Sequence, residues 1–282
     1  VHKEYIRNKL DESVGYTNVI ANYKMTTESE NIVAKISSNV FYKEFTFDKN
    51  DFYPEDGKKE LADTVLWLGD LLFIIQVKER NPNEIKSEAE ENAWFDNKVL
   101  KKAKEQIANS IEYLNKYKEI KIKNIRNHSI DISKANKIGI NKIIVYMPNN
   151  SPISDEKRSM KFYESKKSGN IHIFNLEDYL WVCKFLITPT ELDEYLKFRE
   201  RIYLKHKEII TAFPEQYILG HFLNTEDESN IQEEHIETFS KLVDDVDDFD
   251  VSGVLNNFLE KIRIEEQKES KDYYSILTEI AS

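Results

Sequence analysis

The chain is poor in the residues that mark secreted, membrane-spanning and repetitive proteins. It has one cysteine in 282 residues, Cys183, which excludes an internal disulfide and a cysteine-based zinc cluster. Its 7 glycines and 6 prolines are too few for a glycine-rich repeat or a disordered chain. No uncharged apolar run reaches the roughly 18 residues of a membrane span, and the start VHKEYIRNKL has no apolar signal segment. We therefore expect a cytoplasmic protein without a membrane segment, in which Cys183 is a buried structural thiol.

Charge is distributed unevenly along the chain, whose net charge is −11. Residues 81–170 carry 18 basic and 12 acidic side chains, whereas residues 171–282 carry 11 basic and 25 acidic ones. A local basic face can bind phosphates even in an acidic protein, although charge counts alone favour an ordinary solvated helix face. The acidic C-terminal part could bind a protein partner, mediate oligomerisation, or cover the basic region as a mimic of nucleic acid.

Helix-like and strand-like segments alternate, which predicts an α/β fold. Thr27 and Glu30 have the spacing of a capping box at the start of a helix. Gly69-Asp70 separates two apolar, β-prone runs and favours a type II′ hairpin turn. The predicted core elements are a helix at 27–38, a strand at 39–47, hairpin strands at 61–68 and 71–78, a helix at 87–117, and strands at 141–148 and 170–174.

Helices are predicted to dominate the rest of the chain. One follows Asn175, a potential N-cap, and another follows Thr188 or Thr190. We place a domain boundary near residue 188. It gives an α/β core with an N-terminal extension over 1–187, and a helical, acidic region over 188–282.

Three polar residues interrupt the otherwise apolar hairpin. If Gly69-Asp70 is the turn, Asp63 lies directly opposite Gln76, and such a pair shares one face of the sheet. Lys78 lies on the same face because side chains alternate along a strand. An acid, an amide and an amine therefore converge at one end of a buried hairpin, where each would be costly to bury without a partner.

Carboxylate and amide oxygens are ligands that Mg²⁺ and Mn²⁺ accept. A neighbouring lysine can stabilise negative charge on a phosphate or activate a bound water. Asp63, Gln76 and Lys78 could therefore support phosphodiester hydrolysis. The alternative is a plain salt bridge between Asp63 and Lys78 at the end of the sheet, with Gln76 incidental.

The segment ELAD, followed by twelve residues and then QVK, resembles the PD-(D/E)XK (restriction-endonuclease-like) nuclease superfamily. Asp63 matches the motif aspartate, Gln76 the D/E position, where several branches have Gln, and Lys78 the lysine. The element order resembles the αβββαβ core of that family over roughly residues 27–175. The sequence departs from the pattern at Ala62, where the family has proline.

The resemblance implies further site residues. The family's first helix often carries a glutamate that completes the metal site, and Glu30 is the first choice here, with Glu28 second. The helix after the lysine strand can contact nucleic acid in the family. Lys98, Lys101, Lys102 and Lys104 would then bind phosphates, and Gln106 could reach the site.

The resulting hypothesis is a Mg²⁺- or Mn²⁺-dependent nuclease, with DNA the favoured substrate because of the resemblance. Binding through the basic segment should weaken with salt. The composition is rich in Lys, Ile and Asn, as in AT-rich bacterial genomes, and suggests a role in antiviral defence against foreign DNA. The alternative function is a nuclease-fold scaffold that binds a protein partner or nucleic acid without cutting, since a fold does not imply an activity.

Overall fold

The centre of the molecule is a six-stranded mixed sheet with helices on both faces, so the predicted α/β class is confirmed. A computed structural model describes residues 29–40, 43–186, 188–225, 227–228, 241 and 271–281. The predicted cap Thr27, the alternative acid Glu28 and residues 229–270 except 241 lie outside these residues. No helix in the described part of the chain is both long enough and apolar enough to cross a membrane.

The strands are β1 (Thr46–Phe47), β2 (Asp51–Phe52), β3 (Lys59–Glu60), β4 (Thr64–Leu68), β5 (Leu71–Glu79), β6 (Lys121–Lys123), β7 (Ser129–Asp131), β8 (Asn141–Met147), β9 (Phe162–Ser165) and β10 (Gly169–Asn175). The order in the main sheet is β1-β4-β5-β8-β10-β9. Strands β5, β8 and β10 are parallel, and the other neighbours are antiparallel. Two small ribbons, β2-β3 and β6-β7, lie outside this sheet.

The helices are α1 (Ser29–Val40), α2 (Glu88–Trp94), α3 (Ala103–Lys116), α4 (Asp155–Arg158), α5 (Leu176–Phe185), α6 (Pro189–Lys205), α7 (Lys207–Ala212), α8 (Glu215–Asn224) and α9 (Lys271–Ala281). A π-helical segment, Phe95–Lys102, joins α2 to α3, so the long helix predicted at 87–117 is confirmed as one continuous helical stretch. Short 3₁₀ turns occupy Pro82–Glu84 and Ile132–Lys134. The predicted caps Asn175 and Thr188 begin α5 and α6, and Thr188 forms a capping box with Glu191.

The β4-β5 hairpin has the predicted register. Leu68 pairs with Leu71 and Thr64 with Ile75, on either side of the two-residue turn. Gly69 has φ +54°, whereas Asp70 is not among the residues with positive φ, as a type II′ turn requires. The first strand is shorter than predicted, since it begins at Thr64 rather than at residue 61.

The strand predicted at 39–47 is wrong except for its last two residues. Helix α1 continues to Val40, and 43–45 form a turn before β1. The phenylalanine-rich alternation arises for another reason: Phe45 and Phe47 are both buried, but in different apolar clusters. Tertiary packing thus produces a strand-like sequence pattern in a turn.

Side chains of β5 alternate between two hydrophobic clusters. Phe73, Ile75 and Val77 face a cluster built with α1, α5, α6 and α8, which also holds the buried Cys183. Leu72 and Ile74 face a second cluster built with the α2-π-α3 helix. The predicted boundary after residue 187 lies between α5 and α6, and both of these helices pack into the first cluster.

A buried ion pair links α6 to α8. Arg199 donates from Nε to Glu215 Oε1 at 2.7 Å and from Nη2 to Glu215 Oε2 at 3.0 Å. Lys161 Nζ lies 3.0 Å from the same carboxylate, and Tyr195 donates to it at 2.5 Å. Burial by itself would raise the pKa of Glu215, but Arg199 and Lys161 outweigh it and lower the pKa to about 2.

Glu215→Gln should destabilise the fold by about 3–5 kcal/mol, because the buried Arg199 would lose its counter-charge. The measurement is the free energy of unfolding in urea at neutral pH. Glu119→Gln is the control, since Glu119 pairs with Lys121 on the surface and such pairs contribute little. Equal stability of Glu215→Gln and wild type would contradict the expectation.

Candidate active site

A cleft of about 900 Å³ opens at the carboxyl end of β5. Its floor contains Asp63 and Lys78, and one wall contains the start of α1 with Glu30. The opposite wall is the helix formed by α2, the π-helical segment and α3. Ligand sites in sheets with parallel strands commonly lie beyond the carboxyl ends of the strands.

Asp63 and Lys78 form an ion pair on the cleft floor. Lys78 Nζ donates to Asp63 Oδ2 at 3.1 Å, and the Val77 N–H donates to the same oxygen at 2.6 Å. The hairpin register brings these groups together. Asp63 is one residue beyond the last pair of the ladder, Thr64 and Ile75, and therefore lies beside the residues that follow Ile75 on β5. The exposed fractions are only 13% for the Lys78 side chain and 7% for that of Asp63, so solvent screens the pair weakly.

Gln76 is buried in the sheet rather than exposed in the cleft. It is 2% exposed, and its Oε1 accepts no hydrogen bond from any described residue. Alternation along β5 places it on the face of Ile74, towards α3. Gln106 on α3 lines the cleft, and its Oε1 is likewise buried without a partner among the described residues. A buried amide oxygen without a donor is costly, so these two oxygens are candidate ligand contacts.

Four glutamates line the cleft and add negative charge to it: Glu30, Glu60, Glu79 and Glu84. Glu30 is exposed in the first turn of α1, and the first amide of that helix, Ser29 N, donates to Glu79 Oε2 at 2.9 Å. Glu60, at the end of β3, also lines the cleft. Partial burial raises the pKa of Glu60, and the neighbouring charges of Asp63 and Asp51 raise it further.

The structure separates the four lysines predicted to bind phosphates. Lys98 and Lys102 line the cleft. Lys101 is exposed and is not part of the cleft lining. Lys104 turns towards β9, where its Nζ donates to the Tyr163 hydroxyl at 3.2 Å and lies 5.0 Å from the ring centre.

An ion pair missing from the sequence prediction supports the cleft wall. Arg80 follows β5 directly, and its Nε donates to Glu91 Oε2 at 2.7 Å. Glu91 is fully buried on α2 and also accepts from Ser151 Oγ at 2.6 Å. Hydrogen bonding from Arg80 is the main reason that the pKa of Glu91 falls to about 2. No local motif marks Arg80 and Glu91 as partners, because a loop separates them in the chain.

Stability should therefore depend on pH through Glu91. Its folded-state pKa of about 2 lies below its usual 4.5, so its stabilising effect is complete above about pH 4.5 and is lost as the pH falls towards 2. Glu91→Gln should lower the unfolding temperature at pH 7, and the difference from wild type should shrink on acidification. Thermal unfolding between pH 2 and 7 measures this. A constant difference across that range would contradict the assignment.

The oxygen atoms at the hairpin suit a hard divalent cation. Asp63 uses Oδ2 for both of its hydrogen bonds, and within the described residues Oδ1 accepts none. Gln76 Oε1, the second predicted ligand, is buried beside the cleft and does not line it. Mg²⁺ needs few protein oxygens because it keeps several waters. No group of three or more His, Cys, Asp or Glu residues suited to a metal ion occurs among the described residues.

No protein-family model, curated protein or solved structure matches this chain.

Proposed function

We propose that the protein is a metal-dependent nuclease whose active site is the cleft around Asp63 and Lys78. The observation that carries the proposal is the Asp63–Lys78 pair, 3.1 Å apart on adjoining strands, at the floor of an open polar cleft. A lone surface salt bridge would not need a cleft whose opposite wall presents Lys98 and Lys102. The resemblance of ELAD…QVK to the PD-(D/E)XK motif supports the same function.

The order of elements is consistent with that superfamily. Helix α1 precedes β1, the β4-β5 hairpin follows, and the α2-π-α3 helix leads to β8, which pairs in parallel with β5. This is the αβββαβ order that the motif implies. The small β2-β3 and β6-β7 ribbons are additions to that order.

Each residue of the floor would have a distinct role. Lys78 lines the cleft, and its ammonium group donates to Asp63 Oδ2 and to the Val77 carbonyl oxygen. This ammonium group would stabilise negative charge that develops on a phosphate. Asp63 holds that ammonium group, and its other oxygen would bind Mg²⁺ or Mn²⁺ together with Gln76 and Glu30. The bound cation would supply Lewis-acid stabilisation and a more acidic water. Lys98 and Lys102 would neutralise neighbouring phosphates. DNA is the favoured substrate, and a role in antiviral defence stays a prediction.

Lys78→Ala and Asp63→Asn should each reduce cleavage at least about 100-fold, the usual effect of losing one electrostatic catalytic group. The assay uses plasmid, linear duplex, single-stranded DNA and RNA, each with Mg²⁺, Mn²⁺ or EDTA. Lys101→Ala is the matched control, since Lys101 is exposed outside the cleft. Cleavage that survives in EDTA or in folded Lys78→Ala protein would refute the proposal.

Gln76→Glu should lower the metal concentration that gives half-maximal cleavage, because it adds a second carboxylate next to Asp63. Gln76→Ala should raise that concentration. Circular dichroism is the control that tests whether both variants fold. If both variants need the same metal concentration as wild type, Gln76 is not a ligand.

A second candidate function is nucleic-acid or protein binding without cleavage. It is favoured by the direct contact of Lys78 with Asp63, which already neutralises the carboxylate. It is also favoured because the described residues contain no group of three or more His, Cys, Asp or Glu residues suited to a metal ion. Binding of nucleic acid by wild type without cleavage on any substrate would support it.

A further inference from the structure

One wall of the cleft contains a straight row of four side chains. Trp94, Lys98, Lys102 and Gln106 all line it, and each is four residues from the next. In a regular α-helix a four-residue step exceeds one turn by about 40°, so three such steps rotate a row by about 120°. In such a helix the last side chain of the row, Gln106, would point away from the cleft.

The π-helical segment cancels this rotation. Its i→i+5 hydrogen bonds place more residues in each turn, so a four-residue step falls short of a full turn there. The steps from Trp94 to Lys98 and from Lys98 to Lys102 run through Phe95–Lys102, and the step to Gln106 runs through α3. Opposite rotations therefore keep the row facing the cleft.

The buried side of the same helix has the matching pattern. Phe95, Val99, Ala103 and Ile107 also follow one another at four-residue intervals, and all four are 0% exposed. They pack against β5 and β8 in the second hydrophobic cluster. Two parallel rows, one in the core and one in the cleft, thus depend on the same π-helical segment.

The row combines two kinds of contact. Lys98 and Lys102 are exposed, and neither ammonium group pairs with a carboxylate in the described part of the chain. Trp94 is half-buried at the end of the row, with the Arg80 guanidinium 5.9 Å from its ring centre. Lysines that follow a phosphate backbone and an aromatic ring that accepts a base are the parts of a single-strand binding groove.

We propose that this row binds a single-stranded nucleic acid, with Lys98 and Lys102 on its phosphates and a base stacked on Trp94. The choice of single strand follows from Trp94, because a paired base inside a duplex has both faces covered by its neighbours. The inference builds on the proposed nuclease function, since it names the substrate form that the cleft accepts. It assigns Trp94 as a specificity residue.

The experiment measures binding in EDTA, so that cleavage does not contribute. The probes are a fluorescein-labelled oligo-dT single strand and a hairpin duplex with the same number of nucleotides. Wild type should bind the single strand more tightly. Lys98→Ala and Lys102→Ala should each reduce the slope of log affinity against log salt by about 0.7. Lys101→Ala, in the same π-helical segment but outside the cleft, should leave the slope unchanged.

Trp94 is tested by fluorescence, because it also contacts the core and a truncation could unfold the protein. Oligo-dT should quench the tryptophan emission of wild type, and Trp94→Phe, which keeps an aromatic ring, should remove that quenching. Trp94→Leu should weaken oligo-dT binding about tenfold, the effect of losing one base stack. It should leave duplex binding unchanged.

The inference would be overturned by tighter binding of the duplex, by an equal effect of Lys101→Ala and Lys98→Ala, or by quenching that persists in Trp94→Phe. A protein that binds neither the single strand nor the duplex would overturn it as well. Its failure is distinct from failure of the nuclease proposal. If the protein cleaves with metal but the row variants bind like wild type, the nuclease proposal stands and the single-strand inference fails. If the row binds a single strand but the protein cleaves nothing, the single-strand inference stands and the nuclease proposal fails.

Discussion

The antiparallel pairing of β4 with β5 determines where the polar groups of the cleft lie. The two-residue turn at Gly69-Asp70 sets the register, and a slip by one residue would move Asp63 to the opposite face. With this register, Asp63 receives hydrogen bonds from both Val77 N and Lys78 Nζ. The parallel pairing of β5 with β8 then buries the rest of the hairpin, so the ion pair lies where two central strands of a rigid sheet end.

The walls of the cleft are attached to this hairpin by interactions at its carboxyl end. Glu79 accepts a hydrogen bond from the first amide of α1, and the next residue, Arg80, pairs with the buried Glu91 of α2. The consecutive residues Lys78, Glu79 and Arg80, at and just beyond the end of β5, thus carry the ion pair and hold both walls.

Local patterns in the sequence were sufficient for the hairpin, its register, the Asp63–Lys78 contact and the helix caps at Asn175 and Thr188, because each depends on residues close in the chain. They failed at 39–47, where burial of Phe45 and Phe47 in different clusters produced a false strand. The Arg80–Glu91 pair and the cleft position of Trp94 depend on tertiary packing. The sequence did contain a signal for the position of Trp94. Apolar residues recur at every fourth position from Phe95 to Ile107, and a regular α-helix cannot keep such a series on one face because each step rotates it further.

We propose that Asp63 and Gln76 together bind one divalent cation beside Lys78. The most direct test is a crystal grown with Mn²⁺, with anomalous scattering used to locate the ion. We expect an anomalous peak in contact with Asp63 Oδ1 and Gln76 Oε1, and no peak there in Asp63→Asn crystals. Mn²⁺ bound elsewhere, with Asp63 still joined only to Lys78 and Val77, would contradict it.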